Sequence, residues 1–292
     1  MNSIDRYAVI GSNIGHSRSP QIHAMFAKAT RQAMEYGLLD VPPPAFSTVV
    51  RNFFRDGGRG LNVTVPHKAA AHRLADTLTP RANRAGAVNT LAAVDGKLHG
   101  DNTDGAGLVR DLTVNLGCRL EGARVLLLGA GGAARGIISP LLEAGVSALV
   151  INNRHPARAR QLAKEFSDLG PVTAAPATTA AIRGRTAVSD DAGYELIINA
   201  TSASLHGELP QIPNHAVGTQ TFAYDLAYGE RDTVFVHWAR GAGAARAVMG
   251  LGMLVEQAAE SFFIWRGVRP DTAHVLEALG ARTPPPPLSS PG

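Results

Sequence analysis

Three polar stretches in the first third of the chain carry the side chains best suited to chemistry. They are Gly15-His16-Ser17-Arg18-Ser19-Pro20, Asn62-Val63-Thr64-Val65-Pro66-His67-Lys68 and Gly100-Asp101-Asn102-Thr103-Asp104-Gly105. Hydroxyls, amides, one amine and a carboxylate converging there would suit a small, polyhydroxylated, anionic ligand. Alternation along an extended chain puts Asn62 and Thr64 on one face, with Lys68 just past the proline in the first turn of a helix. Plainer roles compete. Ser19 serves equally as a helix cap, and Asn62 and Thr64 as strand residues tying down loops. Gln257, on an otherwise apolar helix face, needs a polar partner if buried. His16, His67 and His99 lack metal-ligand spacing and read as structural, so no metal is expected.

A second constellation lies mid-chain. Gly129-Ala130-Gly131-Gly132-Ala133-Ala134 directly follows the apolar run Arg124–Leu128 and opens a helix, in the pattern G-x-G-x-x-A. The first glycine allows the tight turn and the second lets the backbone approach a pyrophosphate. The third small residue allows close helix–strand packing, and the phosphates meet the helix N-terminus. An NAD site would end the next strand with Asp or Glu; here stand Asn153-Arg154-His155-Pro156-Ala157-Arg158. Two guanidiniums one helical turn apart suit a 2′-phosphate. The alternative for Arg158, with Arg160, is a solvated helix face. NADP is therefore the expected cofactor.

These residues need elements to position them. Tyr7–Ile10 and Gly60–Val65 read as strands, Ser19 to about Ala29 as a helix with Ser19 as its cap, and residues 67–76 as helical. Ala87–Val94 and Lys97–Gly100 form a hairpin turning at Asp95-Gly96. From residue 120 the pattern changes to continuous apolar strands, Arg124–Leu128 and Ala148–Asn152, flanking a helix to about Ala144. Leu196–Asn199 and Thr221–Asp225 add strands, so the segment resembles one doubly wound unit. One apolar helix face runs from Gly250 to about Trp265, and a last helix covers Pro270–Leu279.

Composition narrows the class. Of 292 residues, 45% are hydrophobic and 18% charged, enough to bury a sizeable core. The net charge of +4 comes from basic residues spread along the chain without aromatic interleaving, which argues against nucleic acid. Cys118 is the sole cysteine, so no intrachain disulfide forms. Neither a signal peptide nor a membrane-spanning run is evident, and a cytoplasmic location is expected.

G-H-S-x-S-P, N-V-T-V-P-x-K, A-G-A-V-N-T, G-D-N-T-D-G and G-L-G-M-L-V-x-Q-A-A stand in this order around the dinucleotide turn. Together they resemble the shikimate dehydrogenase family from Tyr7 to about Leu279. The resemblance implies an α/β architecture: an N-terminal α/β substrate domain at 1–105, completed by 241–280, and a Rossmann-like doubly wound NADP domain at 106–240. The C-terminal helices return to the first domain, and 281–292 is a disordered proline-rich tail. It implies Ser17 and Ser19 on the substrate carboxylate and Asn62, Thr64, Asn89, Asp104 and Gln257 on ring hydroxyls, with Tyr228 near the carboxylate. Lys68 and Asp104 would be the catalytic pair. Gly129, Ala130, Gly131, Gly132 and Ala133 would take the pyrophosphate, and Asn153, Arg154 and Arg158 the adenosine phosphate. Thr201, Leu226, Gly250 and Met253 would lie along the ribose and nicotinamide.

The implied activity is NADP-dependent reduction of 3-dehydroshikimate to shikimate, in aromatic amino-acid (chorismate) biosynthesis, by a monomer or homodimer. Met249 stands where the family usually has an acid, and Thr233 lacks the proline that often follows it. A quinate/shikimate dehydrogenase of broader specificity is the nearest alternative. A non-catalytic NADP-sensing module would predict loss of Lys68 or Asp104, and both are present. A hydride reaching a ketone leaves charge on its oxygen, and Lys68, the one amine among the motifs, is placed to neutralise it. Domain closure, hinging near Gly105–Leu108 and Gly241–Gly250, would exclude water.

Overall fold

A computed structural model describes residues 4–176, 193–213 and 215–280. The expected proline-rich tail lies outside the described residues. The first half is built on a mixed six-stranded sheet ordered β2-β1-β3-β5-β6-β4. Its strands are β1 (Asp5–Gly11), β2 (Met34–Asp40), β3 (Gly58–Val63), β4 (Thr77–Leu78), β5 (Thr90–Val94) and β6 (Lys97–Asp101). β1 runs parallel to both β2 and β3, whereas β3, β5 and β6 alternate. The β5–β6 hairpin turns at Asp95 (φ 50°) and Gly96 (φ 74°), the double positive φ that a tight two-residue turn demands. Ile10, Leu61, Val63 and Leu91 pack beneath α2 (Phe46–Arg55), through Phe46 and Val50. The segments β2 and α2 had no counterpart in the sequence reading.

The second sheet is parallel throughout, ordered β12-β11-β10-β7-β8-β9. It comprises β7 (Arg124–Leu128), β8 (Ala148–Asn152), β9 (Val172–Ala174), β10 (Leu196–Asn199), β11 (Phe222–Asp225) and β12 (Arg246–Met249). Read from the other edge this is the 3-2-1-4-5-6 order of a doubly wound nucleotide-binding sheet, whose switch point lies between β7 and β10. Helices α6 (Gly132–Glu143), α7 (Pro156–Phe166) and α8 (Val234–Gly241) cover it, which is why β7 and β10 are apolar on both faces. β12 extends this sheet past residue 240, where the sequence reading ended the unit; four residues among glycines and arginines give too short an apolar signal to be seen.

The helix α9 (Leu251–Arg266) leaves the second sheet and lies against the first half. Its Leu251, Val255, Ala258 and Phe262 meet Ile22 and Phe26 of α1 (Ser19–Thr30) and Val275 of α10 (Ala273–Ala278). It also runs along α5 (Asp104–Arg110), where Gly107 permits the approach: a Cβ there would sit 2.6 Å from the Gln257 nitrogen. Among the described residues no helix is long and apolar enough to cross a membrane.

Candidate active site

Two helix starts bring the central pair together. Lys68 opens α3 (Lys68–Leu74) just beyond Pro66-His67, and Asp104 opens α5. His67 is structural, its Nε2 paired with the Val41 carbonyl at 2.8 Å. Lys68 Nζ donates to Asp104 Oδ2 at 2.5 Å, with the two side chains only 14% and 5% exposed. Asn89 Nδ2 donates to the other carboxylate oxygen at 2.8 Å, and the Asp104 amide donates to Asn102 Oδ1 at 3.1 Å. Asp104 is thus fixed from two sides, while the lysine ammonium keeps donors for another acceptor.

The loop leading to Asp104 is held as firmly. Arg81, on α4 (Pro80–Ala85), grips Asp101 bidentately at 2.6 and 2.8 Å and reaches Glu260 of α9 at 3.2 Å. Burial alone would raise the Asp101 pKa, but bonds from Arg81 and Thr79 outweigh it and hold the carboxyl below its usual range. The loop is therefore clamped to both α4 and α9.

Asn62 is buried on β3, and its Nδ2 donates to Ser261 Oγ at 2.9 Å while its Oδ1 accepts from the Tyr36 hydroxyl at 2.7 Å. Thr90 and Thr103 join Ser261 at 2.8 and 3.2 Å, and Gln257 Oε1 accepts from Asn89 at 3.3 Å. Asn62, Asn89, Gln257, Lys68 and Asp104 thus share one polar network. Thr64 is half-buried at the strand end, its methyl packed where a Cβ on Gly11 would fall. Sequence reasoning missed Tyr36, Thr90, Thr103 and Ser261. Thr90 and Thr103 stood inside quoted motifs, and Ser261 lies one helical turn from Gln257; only Tyr36 carried no signal.

Ser19 is not the cap of α1. The helix starts at Ser19 itself, Arg18 occupies the cap position without a side-chain bond, and the Ser19 amide donates to Ser17 Oγ at 3.3 Å. The earlier serine satisfies that first free amide, the capping task expected of the Ser19 hydroxyl. Tyr228 is half-buried with its hydroxyl against the Arg18 backbone; burial pushes its pKa up, and Arg18 opposes this.

His23 lies behind this network, fully buried, stacked on Tyr36 with ring centres 4.1 Å apart. Neither ring nitrogen has a hydrogen-bond partner among the described residues, and burial pushes its pKa down to about 3, opposed by nearby Asn62. The folded state keeps the ring neutral, while the unfolded chain takes up a proton near its ordinary value. Its contribution is present above about pH 6.5 and lost as pH falls toward the folded value. Between about pH 7 and pH 5 the wild type should lose about 2 kcal/mol more stability than His23→Phe. Denaturant titrations at both pH values check this; equal acid losses in the two proteins would refute it.

The cofactor-side residues gather at the switch point. Gly129 has φ 113°, and a Cβ there would lie 3.0 Å from the Ala200 carbonyl and 3.2 Å from the Thr201 methyl, so only glycine fits. Ala130, Gly131, Gly132 and Ala133 carry the chain into α6. The Thr201 hydroxyl donates to Asn199 Oδ1 at 2.7 Å. Buried Asp225 accepts from Ser204 and Thr233 at 2.6 and 2.7 Å, joining the loops after β10 and β11. Gly250 abuts the Leu226 carbonyl, 2.8 Å from where its Cβ would stand. Met253 is buried in the core of the second half rather than on an open surface. Asn153 folds onto the His155 carbonyl at 3.1 Å, and Arg154 and Arg158 are exposed without an ion pair among the described residues. Two exposed cations beside a glycine turn and helix N-terminus fit a phosphorylated dinucleotide.

Comparison with known proteins agrees. Family profiles match residues 9–91 (shikimate dehydrogenase substrate binding domain), 112–204 (shikimate/quinate 5-dehydrogenase) and 250–279 (shikimate 5'-dehydrogenase C-terminal domain). Shikimate dehydrogenase (NADP(+)) of Alkalilimnicola ehrlichii is 53% identical, over 94% of this chain and 98% of its own. That of Cupriavidus necator is 51% identical, over 95% and 94%. Shikimate 5-dehydrogenase of Thermus thermophilus, solved in complex with NADP(H) and shikimate, is 34% identical with a TM-score of 0.81, over 95% and 99%. The glycine turn, the paired arginines and the Lys68–Asp104 network are thus those of a chain that belongs to the shikimate dehydrogenase family.

Proposed function

We propose that this chain catalyses the reversible NADP-dependent reduction of 3-dehydroshikimate to shikimate. The observation carrying this reading is the Lys68–Asp104 pair, enclosed by hydroxyl and amide side chains and set against the dinucleotide turn: a Cβ on Gly132 would lie 3.6 Å from that of Lys68. When bound, NADPH would supply the hydride, held by the Gly129–Ala133 turn and by Asn153, Arg154 and Arg158, with Thr201, Leu226, Gly250 and Met253 toward its reacting end. Ser17, Ser19 and Tyr228 receive the substrate carboxylate, and Asn62, Thr64, Asn89, Asp104 and Gln257 its hydroxyls. Lys68 delivers the proton to the ketone oxygen as charge develops there, and Asp104 keeps the ammonium aimed and holds the neighbouring hydroxyl. Domains at 1–105 with 241–280 and at 106–240, the first for substrate and the second for cofactor, go with this reading, the strand Arg246–Met249 being the exception. So do a cytoplasmic location and a monomeric or homodimeric state.

The test is absorbance at the NADPH band, with shikimate and quinate each offered with NADP and with NAD. Fast turnover confined to shikimate and NADP is expected. Comparable rates with quinate or NAD would instead favour the broader-specificity enzyme, and no turnover with any pair would sink the dehydrogenase reading.

A further inference from the structure

We propose that Arg135 is a positioning residue for hydride transfer, holding the dinucleotide turn at a set distance from the Lys68–Asp104 pair; the proposal rests on the reading just given. Arg135 belongs to the first turn of α6, the helix whose start would receive the cofactor phosphates. Its guanidinium touches neither Lys68 nor Asp104. Nε donates to the Ala85 carbonyl at 2.6 Å, and Nη2 donates to Glu165 of α7 at 2.6 Å.

The carbonyl it grips leads straight into the site. Ala85 ends α4, and the chain continues through Ala87 and Val88 to Asn89. The Val88 amide donates to the Lys68 carbonyl at 3.0 Å, Asn102 donates to the Ala87 carbonyl at 2.9 Å, and Asn89 holds Asp104. One guanidinium therefore links the cofactor helix to the backbone that seats both members of the pair.

Next to Arg135, at Gly136, α6 is held by contact rather than by charge. A Cβ on Gly105, next to Asp104, would lie 2.6 Å from the Gly136 carbonyl, and one on Gly136 would lie 2.9 Å from Asn102 Oδ1. Packed against α5 through Gly136 and tied to Ala85 through Arg135, the start of α6 has little freedom relative to Lys68. Hydride transfer needs such control, because displacing reacting groups by about 1 Å costs on the order of a hundredfold in rate.

Arg84 supplies the control for a merely structural role. It ties α4 to the end of α7, donating to the Glu165 carbonyl at 2.6 Å and to Asp168, with its guanidinium 4.9 Å from the Phe166 ring. It has no bond to α6 or to the Ala85–Asn89 segment among the described residues. If these arginines only fasten one half to the other, the two should behave alike.

The experiment compares wild type, Arg135→Met and Arg84→Met in shikimate oxidation, using shikimate with and without deuterium at the carbon that gives up the hydride. Arg135→Met should lower kcat by at least about tenfold and raise the isotope effect on kcat, with KM for shikimate and NADP within about threefold. Arg84→Met should lower the melting temperature while leaving kcat and the isotope effect at wild-type values. An Arg135→Met enzyme with normal kcat and isotope effect overturns the proposal, as does an Arg84→Met enzyme that reproduces its kinetics. Should Arg135→Met not fold, Arg135→Lys carries the same two readings, since lysine offers one nitrogen where the guanidinium uses two, Nε on Ala85 and Nη2 on Glu165. A wild type that does not oxidise shikimate overturns the activity and this inference together, whereas an active wild type with unaffected Arg135 variants overturns this inference alone.

Discussion

Replacing Lys68 with methionine should lower kcat about a thousandfold while shikimate KM stays within about threefold, because a positioned acid contributes mainly in the transition state. Methionine keeps the length and apolar stem and removes the ammonium. Hydride arriving at the ketone places negative charge on oxygen in a site where Lys68 is only 14% exposed. In so enclosed a site, solvent is a poor substitute for a donor already aimed at that oxygen. A second effect must be separated. The variant leaves the Asp104 carboxylate, 5% exposed, with the Asn89 amide as its remaining side-chain donor among the described residues. Removing one partner of a buried ion pair costs about 3–5 kcal/mol of stability, so steady-state rates belong beside a melting curve and are taken below the transition. A folded variant with kcat within tenfold of wild type would remove Lys68 from the chemistry.

The second large effect concerns cofactor choice. Changing Arg154 and Arg158 together to serine should lower kcat/KM with NADP about a hundredfold and leave that with NAD within about threefold. Both side chains are exposed, and neither has an ion pair among the described residues, so the variant exposes no buried charge and the fold should not suffer. A hydrogen bond to a charged group is worth about 1.5–3 kcal/mol, and a hundredfold loss corresponds to about 2.7 kcal/mol. That is one good contact, or two weakened by solvent. The loss should shrink as salt is added, since both cations sit at the surface. Equal losses with NADP and NAD would mean that the arginines shape the site without reading the 2′-phosphate.

Both predictions use residues that were legible in the sequence, and the reason differs between the halves. β7 and β8 were found to the residue, because strands covered on both faces need unbroken apolar runs. β2 was not: Met34-Glu35-Tyr36-Gly37-Leu38-Leu39-Asp40 is an edge strand whose glycine and charges hide the alternation. That omission took Tyr36 with it, although its hydroxyl orients Asn62. α2 was lost for a related reason, since only Phe46 and Val50 of its ten residues are buried. The motif residues of the network could be named from their types and order. Their pairing could not, because Ser261 and Asn62 are brought together by α9 returning across the first sheet. The role of Ser19 shifted by one position, since Ser17 supplies the oxygen that a cap would otherwise provide.

The proposed reaction is a direct transfer of hydride from the cofactor to the substrate carbon, with Lys68 supplying the proton. It is tested most directly by giving the enzyme 3-dehydroshikimate with NADPH carrying deuterium at the transferred position, in ordinary water, and analysing the product by NMR and mass spectrometry. The product should be shikimate one mass unit heavier, with deuterium on the carbon bearing the new hydroxyl and nowhere else. Shikimate formed without deuterium from fully labelled cofactor, or no shikimate at all, would contradict it.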